Sequence, residues 1–322
     1  MQPRTLWRAA TLALALALGS AAAQAQDKLL RIVVPYSAGG LSDIITRLLT
    51  PSLAKSLGRT VIVENKPGGA TLIALNAVKN APTDGSITVM VQNIGYVGLP
   101  YTNRGATYDP LHDFIPVATI ADGPAYIYVH GSVPAKNLAE FIAYAKTVPS
   151  GIEAATSGPG GGSHTWAMLL SKRAGINLLP VPYKGAADMT TAMITGESKV
   201  MISTATEPLN AQVKAGKLRI LAVASDQRSP LTPDVPLASD TVPGFVIAGW
   251  FGFIAAPHTS AADVQALANA VRVALAEPGV KERYAALYLE PRYMGPQEFA
   301  ASIASVDEFY KKLVAELQLT PQ

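Results

Sequence analysis

The sequence predicts an α/β protein of about two domains. Short β-branched runs typical of buried strands alternate with segments in which apolar residues recur every three or four positions, the spacing of amphipathic helices. Charged residues make up only 15% of the chain, which suits packed layers of helix and sheet. A length of 322 residues leaves each domain large enough for a core of its own.

The first unit of this pattern lies at residues 31–49. Residues 32–34 form a β-branched run bounded by Pro35, as in an interior strand. Beyond a pair of glycines, the apolar residues of positions 41–49 follow helical spacing, with charged residues on the opposite side. The segment therefore predicts a strand, a turn and an amphipathic helix, in that order.

The turn of this unit, Gly39-Gly40, is a candidate anion site. Glycine has no Cβ to keep a ligand away from the backbone N–H groups, and a helix N-terminus favours negative charge. Ser37 or Ser42 is expected to cap the helix, and Asp43 in its first turn suits the helix dipole. An ordinary strand-to-helix turn explains the same residues, so both interpretations stay open at this point.

The alternation continues along the chain and predicts strand–helix–strand units on parallel sheets. Further strands are predicted at 60–64, 87–91, 125–129, 152–156, 178–183, 199–203, 218–224 and 245–255. Further helices are predicted around Leu75 and Val78, at 138–146 and 163–173, around Met189 and Met193, and at 208–215, 261–277 and 296–317. The segment 101–116 is rich in turn signals and is expected to follow the surface as a loop.

The domain boundaries follow from the last two predicted helices, which need a sheet to cover. The first domain is short of helices without them, so the chain is expected to cross back into it. We predict a discontinuous first lobe of residues 26–123 with 252–322, and a second lobe of residues 124–251. Two crossings, near 121–124 and near 249–254, form a hinge in this arrangement.

A second glycine turn lies in the middle of the second lobe, at residues 156–165. It again separates a strand from a helix, so the backbone N–H groups of Gly161–His164 are expected to point into the space above the strand ends, with Ser163 as the cap. One glycine turn in each lobe predicts a cleft that grips a ligand from both sides.

Other kinds of site have weaker support. The glycines after Gly158 resemble the start of a dinucleotide-binding turn, but Ser163 stands where the third glycine belongs. The adjacent Ser163 and His164 diverge by about 100° on a helix, and no G-x-S-x-G elbow of a hydrolase occurs. The four histidines lack metal-ligand spacing. Neither a cofactor nor a metal is therefore expected.

Residues 1–25 have the three parts of a secretory signal peptide: a positive start, a short apolar run and a small-x-small site ending at Ala25. We expect an exported protein, cleaved after about Ala25. The formal charge of +3 falls to about +1 without Arg4 and Arg8. No basic cluster indicates nucleic-acid binding. Because cysteine is absent, disulfides and thiol catalysis are excluded.

Several motifs, taken in order, resemble those of the Bug-type periplasmic receptors of tripartite tricarboxylate transporters across essentially the whole mature length. Each motif alone is weak, whereas their order and spacing together are specific. The matching positions are Pro35, Tyr36, Gly39, Gly40, Asp43 and Arg47; Glu64 to Gly68; Pro82, Asp84 and Gly85; Tyr108 to Pro110, Asp113 and Phe114; Ser157, Gly158, Gly160, Ser163 and His164; Val181 to Gly185; and Ala215 to Arg219 with Leu221 to Val223.

The resemblance implies a type-two periplasmic binding fold, in which two α/β lobes joined by a two-crossing hinge close on a small carboxylate without catalysing a reaction. It also implies delivery of the ligand to membrane transporter subunits. A monomer is the default expectation for a receptor whose lobes must close freely, and the scattered basic residues predict no nucleic-acid partner. The ligand-binding residues that it implies are Tyr36, Ser37, Ala38, Gly39, Gly40, Asp43, Asn93, Gly161, Gly162, Ser163, His164 and Tyr183.

The chain departs from the family pattern in ways that bear on the ligand. Ala192 and Ser203 stand where many relatives have aspartate, and Met168 where glutamate is usual, so an amino-acid ligand is disfavoured. Di- and tricarboxylates, amino acids and aromatic acids otherwise stay open. Trp166 and Trp250 are expected to pack in the core or at the hinge, with an aromatic acid beside them as the alternative.

Two other functions fit parts of the sequence. A receptor of this fold can serve as the ligand-sensing partner of a membrane signalling protein, which the residues do not distinguish from transport. An exported α/β hydrolase needs a nucleophile with its base and orienting group, and the sequence offers no recognisable set.

Overall fold

The computed structural model describes residues 29–158, 161–247, 249–319 and 321. The predicted signal peptide, residues 1–25, lies outside the described residues. Within them, no helix has the length and the apolar character that crossing a membrane requires.

The elements of the described chain alternate between strands and helices over most of its length. The strands are β1 (Leu30–Val34), β2 (Val61–Asn65), β3 (Ile87–Gln92), β4 (Ile115–Asp122), β5 (Ala125–His130), β6 (Ile152–Thr156), β7 (Leu178–Pro182), β8 (Val200–Thr204), β9 (Leu218–Ala224) and β10 (Trp250–Ala255). The helices are α1 (Leu41–Leu57), α2 (Leu72–Lys79), α3 (Leu99–Thr102), α4 (Leu138–Lys146), α5 (Gly162–Ala174), α6 (Ala186–Thr195), α7 (Glu207–Lys214), α8 (Ala261–Ala276), α9 (Pro278–Ala286) and α10 (Pro296–Leu317). Short 3-10 turns at Gly69–Thr71 and Ala238–Asp240 and a π-helical turn at Ile94–Gly98 complete the set.

The strands build one sheet in each of two α/β lobes. The strand order is β2-β1-β3-β10-β4 in the first lobe and β7-β6-β8-β5-β9 in the second. Helices cover the sheets, and the buried residues of both lobes are largely aliphatic. This architecture confirms the predicted two-lobed α/β fold class.

Both sheets are mixed, so the prediction of parallel sheets is wrong for the strands at which the chain changes lobe. β10 runs antiparallel to β3 and β4, and β5 runs antiparallel to β8 and β9. The reason lies in where the chain enters each sheet. Ala125, the first residue of β5, pairs with Thr204, the last residue of β8. A strand that enters at the carboxyl edge of its parallel neighbours must run against them.

Among the described elements, three were not predicted from the sequence patterns. β4 lies at the edge of its sheet and contains Pro116, which an edge strand tolerates but which reads as a turn signal in sequence. The π-helical turn with α3 and the short helix α9 are the others. In addition, the strand predicted at 245–255 begins only at Trp250. The lobe boundaries at 123/124 and 251/252 stay predictions.

The two crossing segments touch each other at a pair of glycines. The backbone N–H of Gly123 donates a hydrogen bond to the carbonyl oxygen of Gly249 at 2.8 Å. A Cβ on Gly249 would overlap the carbonyl group of Gly123. Only glycine therefore allows the two crossings to lie this close.

Replacing Gly249 with alanine is expected to lower the free energy of unfolding by about 2 kcal/mol, because the new methyl group must push the two crossings apart. Urea unfolding followed by circular dichroism measures the change. The matched control is Gly279→Ala in α9, where nothing lies within 4 Å of an added Cβ. Equal stability of the two variants would contradict the close contact at the crossings.

The last helix, α10, packs against both lobes. Near its start, Phe299 meets the ring of Trp250 edge-on at a centroid distance of 4.8 Å. Near its end, a carboxylate oxygen of Glu316 lies 2.9 Å from the guanidinium of Arg173 in α5. Because α5 begins at the predicted glycine turn of the second lobe, α10 connects that lobe to the first at a distance from the hinge.

Candidate ligand-binding cleft

A cavity of about 590 Å³ lies between the lobes. Its volume falls in the range of about 300 to 1,000 Å³ that small-molecule sites occupy. First-lobe residues supply most of the wall, and the strand-to-helix turns of the second lobe close it. The described lining residues are Pro35, Tyr36, Ser37, Pro67, Gly68, Ala70, Thr71, Ile94, Gly95, Leu99, Thr102, Asn103, Ser157, Gly161, Gly162 and Lys184.

The predicted site residues fall into two groups. Tyr36, Ser37, Gly161 and Gly162 line the cavity, so the structure brings the two glycine turns together across the cleft. The remaining predicted residues lie outside the lining, and their assignment as ligand contacts stays a prediction. They are Ala38, Gly39, Gly40, Asp43, Asn93, Ser163, His164 and Tyr183.

The turn after β1 is held by its own hydrogen bonds. The N–H of Gly40 donates to the carbonyl oxygen of Ser37 at 3.2 Å, and the N–H of Gly39 donates to Oδ2 of Asp43 at 2.9 Å. Helix α1 has Gly40 as its N-cap without a side-chain cap, so the expected caps are wrong. The hydroxyl of Ser42 instead accepts from Nε2 of Gln92 at 2.8 Å.

Asp43 fixes the shape of this turn. Its side chain is buried, and its carboxylate accepts hydrogen bonds from Nε of Arg47 at 2.9 Å and from Nδ2 of Asn65 at 2.9 Å, besides the Gly39 amide. Burial by itself raises the pKa of Asp43, but the hydrogen bonds from Arg47, Gly39 and Asn65 outweigh it and hold the pKa below the ordinary value. The carboxylate is therefore ionised and fully engaged within the first lobe.

The turn after β6 is tied in a similar way. The hydroxyl of Ser163 accepts from the N–H of Ser157 at 2.8 Å and donates to the Ser157 hydroxyl at 3.0 Å. The N-cap of α5 is Gly161, without a side-chain cap, so Ser163 is not the cap that the sequence suggests. First-turn amides of a helix have no intrahelical acceptor, and Gly161 and Gly162 at the start of α5 line the cavity.

Three of the predicted residues outside the lining have other surroundings. The hydroxyl of Tyr183 lies 3.1 Å from the hydroxyl of Ser198, and Asn93 is buried at the start of the π-helical turn. His164 is half-buried, and its Nδ1 is buried without a hydrogen-bond partner among the described residues. Burial lowers the pKa of His164, so its imidazole is neutral at pH 7.

Both predicted tryptophans, Trp166 and Trp250, pack in the protein interior. Trp166 is buried in the core cluster that spans the lobes, and Trp250 is buried against Phe299. Neither belongs to the described lining of the cleft, which agrees with the expectation of core or hinge packing.

Lys184 is the main lining residue that sequence reasoning misses. It follows β7, and β7 pairs in parallel with β6, so Lys184 emerges at the same sheet edge as Ser157. That shared edge depends on the pairing of β6 with β7, which no local sequence signal records. Other nearby cations are paired within the first lobe: Lys66 with Glu64 at 2.7 Å and Arg47 with Asp43 at 2.9 Å. Lys184 makes no ion pair with any described residue.

The loop after β2 supplies a strained part of the wall. Ala70 and Thr71 have φ angles of +50° and +88°, in a region that side-chain-bearing residues rarely occupy. The Thr71 hydroxyl donates to the carbonyl oxygen of Gly95 at 2.6 Å, which joins this loop to the π-helical turn. Backbone strain of this kind is often concentrated at binding sites.

Among its described residues, the wall offers hydrogen-bond donors and one cation but no acid. Burial raises the pKa of the Tyr36 hydroxyl, so it stays protonated and able to donate. The described lining contains no aspartate or glutamate. Among the described residues, no cluster of histidine and acidic side chains is suited to a metal ion.

Two α/β lobes, paired crossings and a donor-lined cavity between the lobes define the class of two-lobed solute-binding proteins. The chain belongs to the tripartite tricarboxylate transporter family receptors (TctC), whose family model matches residues 45–319. This membership confirms the resemblance seen in the sequence motifs.

Relatives support the same placement over nearly the full length. A UPF0065 protein from the gbd 5′ region of Cupriavidus necator is 33% identical over 315 residues, covering 97% of this chain and 95% of the relative. The structure of the periplasmic binding protein BugD matches with a TM-score of 0.78 at 29% identity, covering 91% of this chain and 98% of BugD. An R. palustris protein solved with adipate matches with a TM-score of 0.81 at 27% identity, covering 91% and 98% of the two chains.

Proposed function

We propose that this chain is a periplasmic receptor that captures a small carboxylate between its lobes and delivers it to the membrane subunits of a tripartite tricarboxylate-type transporter. The observation that carries the proposal is the composition of the cleft wall. Two strand-to-helix turns, one from each lobe, face each other with Lys184 beside them and no acidic side chain among the described lining residues. Such a wall suits an anion.

The proposed anchor for the carboxylate is the first turn of α5, together with Lys184, Ser37 and Tyr36. In this assignment Gly162 supplies a backbone N–H and Ser37 a hydroxyl. Asp43 and Ser163 act as positioning residues, because they hold the two turns in shape without lining the cavity.

The number of donors is sufficient for useful affinity. Micromolar binding requires about 8 kcal/mol, and hydrogen bonds to a charged group contribute roughly 1.5 to 3 kcal/mol each. Five or so donors from both turns therefore supply this free energy and offset part of the ordering cost. Because the donors belong to different lobes, a ligand that reaches all of them stabilises the closed state.

The proposed receptor is exported to the periplasm and acts with membrane subunits as its partners. The signal-peptide pattern of residues 1–25 supports secretion, and the relative BugD is described as a periplasmic binding protein. The receptor function involves no catalysis and no nucleic acid. A monomer suits a protein whose lobes must close freely.

A thermal-shift screen of the mature chain from residue 26 against mono-, di- and tricarboxylates tests the proposal. At least one carboxylate is expected to raise the melting temperature in a concentration-dependent manner. Neutral amides of the same acids are expected to have no effect. A chain that is stabilised by none of the carboxylates is not such a receptor.

Replacing Lys184 with methionine is expected to weaken binding of the best carboxylate from this screen about five- to tenfold, because the ligand loses its full counter-charge. Isothermal titration calorimetry measures the affinity. The control is Lys146→Met, which removes an exposed lysine from the last turn of α4 and should leave the affinity unchanged. Unaltered affinity in Lys184→Met would remove this residue from the site.

A further inference from the structure

We propose, on the basis of the receptor function above, that the ligand class of this cleft is a monocarboxylate with an apolar body and no ammonium group. The two ends of the cavity differ in chemistry, and this difference determines the class. One end carries the proposed donors and Lys184, while the other is formed by Pro67 of the loop after β2 and by residues in and next to α3.

The second lobe supplies the cation at the charged end of the cavity. Thr156, the last residue of β6, pairs with Pro182 at the end of β7. Ser157 and Lys184 follow these two strands, so they emerge side by side next to the first turn of α5. A carboxylate at this end meets backbone donors and one ammonium group. This end therefore accounts for a single negative charge.

Among the described lining residues, the far end of the cavity contains no cation. Its described wall comprises Pro67, Leu99, Thr102 and Asn103. The Thr102 hydroxyl already donates to backbone carbonyl oxygens of the preceding turn. A second carboxylate placed here would lose its hydration without gaining a counter-charge, which is unfavourable.

The cations nearest to this end in sequence are engaged elsewhere. Lys66, next to Pro67, pairs with Glu64 at 2.7 Å. Arg104, next to Asn103, is exposed, and its Nε donates to the carbonyl oxygen of Pro321 at 2.8 Å. Neither belongs to the described lining, so neither offers a ready partner to a second acid group.

The body of the ligand meets apolar side chains. Ile94 lies against the start of α5, and with Pro67 and Leu99 it presents aliphatic surface to the cleft. Such surface favours an alkyl or aromatic body over a hydroxylated one. An ammonium group would find no acid among the described lining residues. Hexanoate therefore has the features of a ligand, whereas adipate has one carboxylate too many and 6-aminohexanoate has an unpartnered cation.

Calorimetric titration of the mature chain with matched acids tests the inference. The probes are hexanoate, adipate and 6-aminohexanoate, which share a six-carbon chain, and benzoate with terephthalate as an aromatic pair. At least one monocarboxylate is expected to bind at least tenfold more tightly than its dicarboxylate partner, and 6-aminohexanoate is expected to bind more weakly than hexanoate.

The outcomes separate the two proposals. Tighter binding of adipate, terephthalate or citrate than of the monocarboxylates overturns the ligand class while the receptor function stands. Failure of every mono-, di- and tricarboxylate to bind to the folded protein overturns both.

A variant that supplies the missing cation gives a second readout. Asn103→Arg places a guanidinium at the far end, and it should reduce the preference for hexanoate over adipate at least tenfold. The control is Asn76→Arg on the exposed face of α2, where the preference should not change. An unchanged preference in a folded Asn103→Arg protein means that the ligand does not extend to α3, and this result overturns the inference.

Discussion

Replacing Gly162 with leucine is expected to abolish ligand-induced thermal stabilisation and to reduce carboxylate affinity more than 100-fold, a loss of about 3 kcal/mol. Gly162 begins α5 in the second lobe, yet a Cβ at this position would lie 2.7 Å from Cδ1 of Ile94 in the first lobe. The contact crosses the cleft, so a large side chain here separates the two glycine turns.

The size of the substituent matters in this experiment. Cδ1 is the flexible end of the Ile94 side chain, so alanine at position 162 can be accommodated by a small rotation and should cost little affinity. Leucine adds atoms that have no space unless the lobes move apart. A graded loss from alanine to leucine therefore distinguishes a wedge between the lobes from the mere loss of a glycine.

Both substitutions are expected to leave the fold intact, because position 162 lines the cavity, where a movement of the lobes can relieve the overlap. The matched control is Gly279→Leu in α9, where an added Cβ meets nothing within 4 Å. Thermal shift with the best carboxylate and calorimetry measure the effect. If Gly162→Leu binds as well as the unmodified chain, the ligand does not lie between these two turns.

Hydrophobic periodicity and turn residues predict the bounds of several helices and strands. Helices at 138–146 and 296–317 and strands at 152–156 and 218–224 have the predicted bounds. Strand direction is different, because it depends on where a strand enters its sheet. The antiparallel course of β5 and β10 follows from the lobe crossings, which no local periodicity records.

The same difference between local signals and strand pairing explains which cleft residues the sequence predicts. Gly162 and Ser37 were within reach of sequence reasoning, because a glycine turn before a helix is a local signal. Lys184 was not, because its place in the cleft depends on the pairing of β6 with β7. The hydrogen bonds of Asp43 and Ser163 also required the structure. Sequence identifies these residues as parts of the turns, whereas side-chain geometry shows that they support the turns.

Replacing Asp43 with alanine is expected to lower the free energy of unfolding by about 3 kcal/mol, because this side chain supports the turn after β1. The buried carboxylate accepts bonds from the Gly39 amide, from Arg47 and from Asn65, and hydrogen bonds to charged groups contribute roughly 1.5 to 3 kcal/mol each. Loss of the carboxylate releases the turn after β1 and leaves the side chain of Arg47 without its acid.

The matched control for Asp43→Ala is Asp188→Ala. Asp188 also lies in the first turn of a helix, but it is exposed. Its removal should cost less than about 1 kcal/mol, the value of a helix-dipole interaction at the surface. Because Asp43 shapes one of the two turns, Asp43→Ala should also weaken carboxylate binding, whereas Asp188→Ala should not.

The effect of Asp43→Ala is expected to depend on pH. The pKa of Asp43 in the folded chain lies below its ordinary value, so ionisation of this carboxyl stabilises the fold. That contribution is fully present above the unfolded pKa of about 3.9 and is lost as the pH falls through the folded pKa. The stability difference between the original chain and Asp43→Ala should therefore be constant near neutral pH and shrink below about pH 4. Urea unfolding at a series of pH values measures it, and a difference that grows on acidification would mean that Asp43 is not held as the ionised acceptor of this network.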